Sequence, residues 1–403
     1  MSVEALASQR AKASAGEVFL AFLKLGLTSF GGPVAHLGYF RAEFVERRRW
    51  LDEPAYADLV ALCQFLPGPS SSQVGIAIGL SRAGYLGALA AWTAFTTPSA
   101  ILLLLFGFGI GWLGGAAVSS SLHGLKIAAV AVVALAVLQM ARSLASDRNR
   151  ATLAVAAAAL ALLLPTTVGQ LGGIVLGAAV GLAFLRDGAT AEKATLPLVV
   201  GRSVALTSRL LFFALLIGLP LLASVTGSQA VRLVDAFYRA GSLVFGGGHV
   251  VLPLLQAQVV PPGWVSNDVF LAGYGAAQAV PGPLFTFSAY LGAVMGPQPN
   301  GLAGALLCLL AIFLPSFFLV IGILPFWEAL RGKPAAEAAL KGVNAAVVGI
   351  LLAAFYNPVF TAAITKPEDF ALAVTDFLLL FMWRTPPWLV VLLSAAGGAV
   401  LSL

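Results

Sequence analysis

The chain has 403 residues, of which 60% are hydrophobic and 10% charged, with a net charge of +6 and a mean hydropathy of +0.95. A soluble globular protein carries roughly 25% charged residues, so this composition excludes a soluble enzyme, a disordered chain, a secreted disulfide scaffold and a nucleic-acid binder. Apolar runs long enough to cross a bilayer recur along the chain. The composition therefore predicts an all-α polytopic membrane protein whose surroundings are the lipid bilayer.

The apolar segments form two series of the same order. In the first series, segments interrupted by Gly and Pro at 18–45 and 56–80 precede plainer helices at 84–113, 122–140, 151–164 and 169–185. One extra apolar segment lies near 210–224. In the second series, interrupted segments at 231–256 and 268–296 precede plainer helices at 300–326, 337–357, 369–382 and 388–402.

Two motifs of the first series return in the second. The stretch at 22–32 returns at 237–247, and the Gln-x-x-Pro-Gly-Pro motif at 64–69 returns at 278–283. An ordered recurrence of this kind indicates a duplication. The predicted units are a first transporter repeat at 1–188, a linker at 189–229 with one extra transmembrane helix, and a second repeat at 230–403.

The charges of matching loops predict that the second repeat is inverted. The loop that follows the first segment carries Arg41 and Arg47–Arg49, whereas its counterpart at 257–267 has no Lys or Arg. Because positive residues collect on the cytoplasmic side, matched loops of different charge are expected on opposite faces of the membrane. An odd number of crossings between the repeats has the same consequence.

The interrupted segments allow two interpretations. Each arm has about 10–13 residues, or roughly 15–20 Å of helix, against roughly 30 Å of hydrocarbon. We favour re-entrant helical hairpins that meet near the midplane. Full crossings by kinked helices are the alternative, and both versions keep the repeats inverted.

The interruptions predict an anion site. A helix that begins inside the membrane presents free N–H groups and a partial positive charge to an anion, and Ser70 and Ser71 add hydroxyl donors at one such start. The alternative is that these glycines and prolines serve close helix packing. The residues assigned to the four breaks are Gly31, Gly32, Pro67, Gly68, Pro69, Gly246, Gly247, Pro281, Gly282 and Pro283.

Two matched cations strengthen the anion hypothesis. Lys24 and Arg239 occupy the same repeat position, and buried cations in membranes are rare and usually functional. We interpret them as free of acidic partners, with snorkelling to the interface as the alternative. Gln64 and Gln278 precede the two Pro-Gly-Pro tips and are interpreted either as further donors to the oxyanion or as partners of the local backbone. His249 is the candidate for a pH-sensitive ligand.

Other chemistry finds little support in the sequence. The three histidines and two cysteines show no metal-ligand spacing, no phosphate-cradling loop is present, and no nucleophile–base set suggests an enzyme. We therefore predict neither a metal nor a cofactor. Asp376, inside an apolar stretch, is interpreted either as a proton-coupling acid or as a structural hydrogen-bonding group.

The motifs at 22–32, 64–69, 237–249 and 278–283 resemble those of the prokaryotic chromate ion transporter family, over essentially the whole chain. The resemblance implies a multi-pass inner-membrane protein that exports chromate and thereby confers chromate resistance. It marks Lys24, Gly31, Gly32, Gln64, Pro67, Gly68 and Pro69 together with their second-repeat partners.

Alternatives of other kinds stay open. A sulfate or related oxyanion transporter or channel has the same architecture as a chromate exporter. A membrane enzyme acting on a lipid phosphate would need an acid–base pair at the tips, and a structural subunit would leave the duplicated cations unexplained. The oligomeric state is not fixed by the sequence, and a homodimer is one of its alternatives.

Overall fold

The structure is a computed structural model that describes residues 14–113, 116–164, 167–185, 200–330 and 333–400. All regular structure in these residues is helical, as the all-α prediction requires. The helices of the first half and the linker are α1 (Ala15–Thr28), α2 (Gly32–Arg41), α3 (Glu53–Phe65), α4 (Ser70–Leu113), α5 (Ala116–Leu144), α6 (Arg148–Leu163), α7 (Thr167–Phe184) and α8 (Arg202–Thr226). The second half contains α9 (Gln229–Leu243), α10 (Val251–Val259), α11 (Asn267–Ala277), α12 (Phe287–Val294), α13 (Gly301–Ile323), α14 (Trp327–Leu330), α15 (Pro334–Ala354), α16 (Thr361–Ala363), α17 (Pro367–Phe381) and α18 (Pro387–Val400).

Several of these helices are long and apolar enough to cross a membrane. By length and composition, five stretches qualify within the described part of the chain: Ser70–Gly109, Ser120–Leu144, Arg202–Thr226, Gly301–Phe326 and Pro334–Ala363. The shorter apolar helices Val168–Phe184, Leu284–Val294 and Pro387–Val400 accompany them. The chain is thus a multi-pass membrane protein. The predicted boundary between first repeat and linker, at 188–189, lies outside the described residues.

The segment at 18–45 folds back on itself. The rings of Phe22 in α1 and Phe44 beyond α2 lie 4.8 Å apart between centroids. At the open end, Glu17 Oε1 lies 3.5 Å from Arg48 Nη1. A straight helix would separate the members of each pair by roughly 30 Å or more. We call α1 and α2 the first hairpin, with its break at 29–31.

The segment at 56–80 also reverses, and its ends lie beside those of the first hairpin. The guanidinium of Arg82 lies 4.9 Å from the ring centroid of Trp50, just before α3, and that of Arg48 lies 5.2 Å from the same ring. We call α3 and residues 70–82 of α4 the second hairpin, with its break at 66–69. Both hairpins therefore open at one end of the molecule.

The chain also reverses direction within α4, at residues 83–84. The sequence analysis expected this point to be the loop between the segments 56–80 and 84–113. Ala83 and Gly84 leave the helical region, and Gly84 has φ +65°. Gly79 and Gly87 then pack directly backbone to backbone, because neither carries a side chain. Gly292 and Gly304 make the same contact in the second half, which places a close turn between α12 and α13.

The second half has the corresponding elements. Helices α9 and α10 pack together as the third hairpin, with its break at 244–247. Helices α11 and α12 form the fourth, with its break at 278–283. At its open end the Gly296 N–H donates to the Trp264 carbonyl oxygen at 3.1 Å. Trp264 and Gly296 stand at the repeat positions of Trp50 and Arg82.

Each first arm packs against the long helix of its own half through a glycine. Gly26 in α1 lies against the backbone of Ala94 and Phe95 in α4, and Gly241 in α9 lies against the Ile312 carbonyl of α13. A side chain at either glycine would collide with that backbone. At Gly26 and Gly241, glycine therefore serves close helix packing.

Candidate functional site

The four breaks use glycine for its backbone conformation. All six glycines assigned to the breaks have a positive φ, from +74° to +146°. Side-chain-bearing residues rarely adopt this region, whereas glycine enters it without strain. These six glycines are Gly31, Gly32, Gly68, Gly246, Gly247 and Gly282.

The second and fourth hairpins close on the breaks of the opposite repeat. The Gly68 N–H donates to the Val244 carbonyl oxygen at 2.7 Å, and the Gly282 N–H donates to the Ser29 carbonyl oxygen at 2.8 Å. Gly68 and Gly282 are matched repeat positions, as are Ser29 and Val244. The two halves thus exchange equivalent backbone hydrogen bonds at their centre. Both tip N–H groups are already engaged.

Serines that the sequence analysis did not select lie behind the tips. A Cβ on Gly68 would stand 3.1 Å from Ser316 Oγ, and one on Gly282 would stand 3.0 Å from Ser99 Oγ. Each serine follows a proline inside a long helix, Pro315 in α13 and Pro98 in α4. The matched prolines Pro98 and Pro315 were the sequence signal that could have identified these serines. Buried hydroxyl oxygens without a partner among the described residues belong to Ser29, Ser72, Thr96, Ser288 and Ser316.

The breaks of the first and third hairpins adjoin each other. A Cβ on Gly248 would stand 3.1 Å from Pro33 Cγ, and one on Gly32 would stand 4.0 Å from His249 Nε2. The other ring nitrogen, Nδ1, lies 2.8 Å from the hydroxyl of Tyr274 in α11. The ring of His249 is therefore anchored on one side and faces the Gly31-Gly32 break on the other.

The adjoining breaks leave backbone donors open. Gly31 and Gly246 are both exposed, and within the described residues no hydrogen bond uses the N–H of Gly31, Gly246 or Gly247. By contrast, side chains cap the helices that begin at hairpin openings: Ser14 accepts from Glu17 N–H, Asp52 from Ala55 N–H, and Ser266 from Val269 N–H. The starts after Gly31, Gly247 and Pro283 have no side-chain cap. Uncapped N–H groups are available to an anion.

The two predicted cations are paired with acids, which corrects our interpretation that they are free. Lys24 Nζ lies 3.6 Å from Glu43 Oε2, and the Lys24 side chain is 57% exposed. Arg239 forms an ion pair with Asp235, one turn earlier on α9. The sequence signal for the second pair was the four-residue spacing of Asp235 and Arg239, which places their opposite charges on one helix face.

The predicted polar side chains at the tips differ in placement. Gln64 is exposed, whereas Gln278 is half-buried and its Nε2 has no partner in the described part of the chain. Ser71 is buried, and its Oγ lies 3.3 Å from Nδ1 of the fully buried His36. Ser70 is half-buried beside it. His36 was not selected from sequence, because nothing in its local context distinguishes it.

The prolines of the two tips accept hydrogen bonds through their carbonyls. The Gln73 side-chain amide donates to the Pro67 oxygen at 2.6 Å, and the Thr286 hydroxyl donates to the Pro283 oxygen at 2.7 Å. Pro69 and Pro281 are buried. The tips are therefore held by local contacts as well as by the opposite repeat.

Asp376 is buried in α17, and one of its carboxylate oxygens has no partner among the described residues. No hydrogen bond or ion pair joins it to a break residue in the described part of the chain. Within the same residues, no group of three or more metal-ligating side chains occurs. The free cysteines Cys63 and Cys308 are both buried.

Comparison with known proteins points to one family. The family model described as chromate transporter matches residues 16–182 and again residues 231–399. The chain is 28% identical over 393 residues to the chromate transport protein of Pseudomonas aeruginosa, covering 95% of this chain and 91% of that protein. It is 27% identical over 398 residues to the chromate transport protein of Cupriavidus metallidurans, covering 96% and 92%. No solved structure matches the chain.

Proposed function

Because the chain belongs to the chromate transporter family, a family of transport proteins and not of enzymes, we propose that it exports chromate across the cytoplasmic membrane by secondary transport. The observation that carries the proposal is the pair of exposed, uncapped breaks at Gly31 and Gly246, which adjoin beside His249. We assign the substrate site to these breaks. The second and fourth hairpins hold them in place.

The chemistry of the substrate suits such a site. Chromate is a dianion, so its transfer from water has to be offset by fixed donors. Helix N-termini supply N–H donors and a partial positive charge without the flexibility of long side chains. The free ring nitrogen of His249 adds a donor when it carries the proton. Among the described residues, no acidic side chain is one of the nearest neighbours within 4 Å of a Cβ built on Gly31, Gly32, Gly246 or Gly247.

Lys24 and Arg239 are assigned to the approach of the anion. Each precedes its break by about two turns of helix and has an acid nearby. Arg239 is paired with Asp235, whereas Lys24 shares the Glu43 carboxylate with Arg47 and Arg48. An entering dianion competes with each carboxylate for its cation. We expect Lys24 and Arg239 to contribute mainly to the rate at which the anion reaches the site, because fixed opposite charges chiefly accelerate encounter.

The two repeats are proposed to be inverted and to exchange accessibility around the fixed breaks. The double match of one family model supports a duplication. The exchanged bonds Gly68–Val244 and Gly282–Ser29 support a two-fold relation. The Asp268 carboxylate, at the start of α11, lies 2.8 Å from Lys126 Nζ in α5. Lys126 lies beyond the long helix α4 that leads away from Arg82, and this supports opposite ends for the openings of the second and fourth hairpins.

The proposal is tested by chromate flux in proteoliposomes that contain the purified full-length chain. We expect saturable chromate transport that sulfate inhibits and that a pH gradient or an opposing anion gradient drives. Everted membrane vesicles give the direction, because an exporter accumulates chromate inside them. Sulfate transport with no chromate transport would favour the related oxyanion transporter instead. The mass of the detergent-solubilised protein distinguishes a monomer from a homodimer.

A further inference from the structure

Different side chains surround the two adjoining breaks at Gly31 and Gly246. Around the Gly31 break, a Cβ on Gly31 would meet only Ala35 within 4 Å. Around the Gly246 break, a Cβ on Gly246 would stand 3.3 Å from Met140 Cε and 3.6 Å from the amide oxygen of Asn344. Asn344 is on α15, and position 129, its counterpart in the first repeat, is alanine. Of the matched glycines Gly31 and Gly246, only Gly246 has an amide side chain within 4 Å of a built Cβ among the described residues.

The Asn344 amide is unused. Its oxygen is buried and has no hydrogen-bond partner among the described residues. A buried amide oxygen without a partner is costly. An asparagine amide exposes its NH2 group in place of its oxygen by rotating through about 180°. A ligand that accepts hydrogen bonds at Gly246 would therefore find a ready donor.

We propose that Asn344 is a specificity-determining residue that donates a hydrogen bond from its side-chain NH2 to the oxyanion at the Gly246 break. The inference rests on the proposed function and deepens it, because it makes the substrate site asymmetric. The anion lies closer to the second-repeat break, between Asn344, the N–H groups of Gly246 and Gly247, and the ring of His249. Met140 and Leu144 form the apolar side of that wall.

A neutral donor selects among tetrahedral anions. A fully deprotonated oxyanion, such as chromate or sulfate, presents only acceptors and pairs with the NH2 group. Monohydrogen phosphate also carries an O–H, which needs an acceptor in the site. Asp at position 344 keeps the shape of Asn but offers acceptors only. Asn344→Asp should therefore weaken the binding of chromate and sulfate more than the binding of monohydrogen phosphate.

The test measures binding of chromate, sulfate and phosphate to the purified full-length protein at pH 7 for the wild type and three variants. Asn344→Asp should weaken chromate and sulfate binding at least about tenfold and shift the chromate-to-phosphate affinity ratio toward phosphate by a similar factor. Asn344→Leu removes the amide at similar volume and should weaken all three. Asn149→Asp makes the same chemical change at an exposed site in α6 and should leave binding unchanged.

The outcomes separate the inference from the proposed function. If the wild-type protein shows no saturable binding of any of the three oxyanions, the proposed function is wrong. A wild type that binds chromate while both Asn344 variants bind it equally well would overturn the role of Asn344 alone. If Asn344→Asp does not yield a monodisperse protein, Asn344→Leu decides, because it carries no charge. A loss of affinity with an unchanged anion ratio in Asn344→Asp would indicate a structural role and overturn the specificity assignment.

Discussion

The backbone N–H of Gly68 lies 2.7 Å from the carbonyl oxygen of Val244, so the tip of one repeat closes on the break of the other. The matched bond from Gly282 to Ser29 does the same in reverse. The carbonyl after a helix end has no partner within its own helix, and here the N–H of the opposite tip donates a hydrogen bond to it. At the breaks of the first and third hairpins, the N–H groups of Gly31, Gly246 and Gly247 keep no hydrogen-bond partner among the described residues.

Alanine at Gly68 or Gly282 should disable the protein. At φ +121° and +94°, a side chain costs about 1–3 kcal/mol in backbone strain. It would also collide with Gln73 or crowd Ser99. We expect a lower unfolding temperature and chromate flux reduced at least about tenfold. Gly38→Ala is the matched control, because Gly38 is helical and a Cβ there meets nothing within 4 Å. Full flux in both tip variants would refute the bracing role.

The Asp235–Arg239 pair allows the two roles of Arg239 to be separated. Arg239→Gln leaves the largely buried Asp235 unpaired, so the single variant should lose both stability and flux. The double variant Asp235→Asn, Arg239→Gln removes both charges. It should recover thermal stability but keep a flux at least about fivefold below wild type if Arg239 attracts the anion. Recovery of full flux in the double variant would restrict Arg239 to neutralising Asp235.

His249 should contribute directly and Tyr274 indirectly. His249→Ala removes the ring that faces Gly32, and we expect chromate affinity to fall about tenfold or more. Tyr274→Phe removes only the hydroxyl that anchors Nδ1, so the ring stays and affinity should fall about two- to fivefold. His123→Gln disrupts the contact with Asp369 elsewhere and should leave affinity unchanged. The measurement is equilibrium chromate binding. Unchanged affinity in His249→Ala would remove the imidazole from the site.

The proposed inversion of the repeats predicts opposite accessibility of two matched loops. Cysteines at Glu46 and Pro261, both exposed, would be introduced after the buried Cys63 and Cys308 are replaced by serine. A membrane-impermeant maleimide added to intact cells should label position 261 alone, and in everted vesicles position 46 alone. Labelling of both positions from one side contradicts the inversion. Chromate flux of the cysteine-free background serves as the control.

Much of the architecture was predictable because it depends on local sequence. Helix interruptions follow from Gly and Pro, which either enter φ regions closed to other residues or lack the N–H that a helix needs. The breaks at Gly31, Gly68, Gly246 and Gly282 were therefore located in advance. The pairing of Lys24 was not, because Glu43 becomes its neighbour only after the hairpin closes. The pairing of Arg239 was predictable, because Asp235 precedes it by four residues on one helix.

The sequence by itself determined the membrane class, the helical architecture, the family and the positions of the breaks, since hydropathy, periodicity and recurring motifs are properties of nearby residues. Only the tertiary structure decided which break meets which. It placed Gly68 on Val244, Gly282 on Ser29, and His249 beside Gly32. These contacts join residues more than 170 positions apart. The two backbone hydrogen bonds form where folding leaves a carbonyl that only another segment can satisfy.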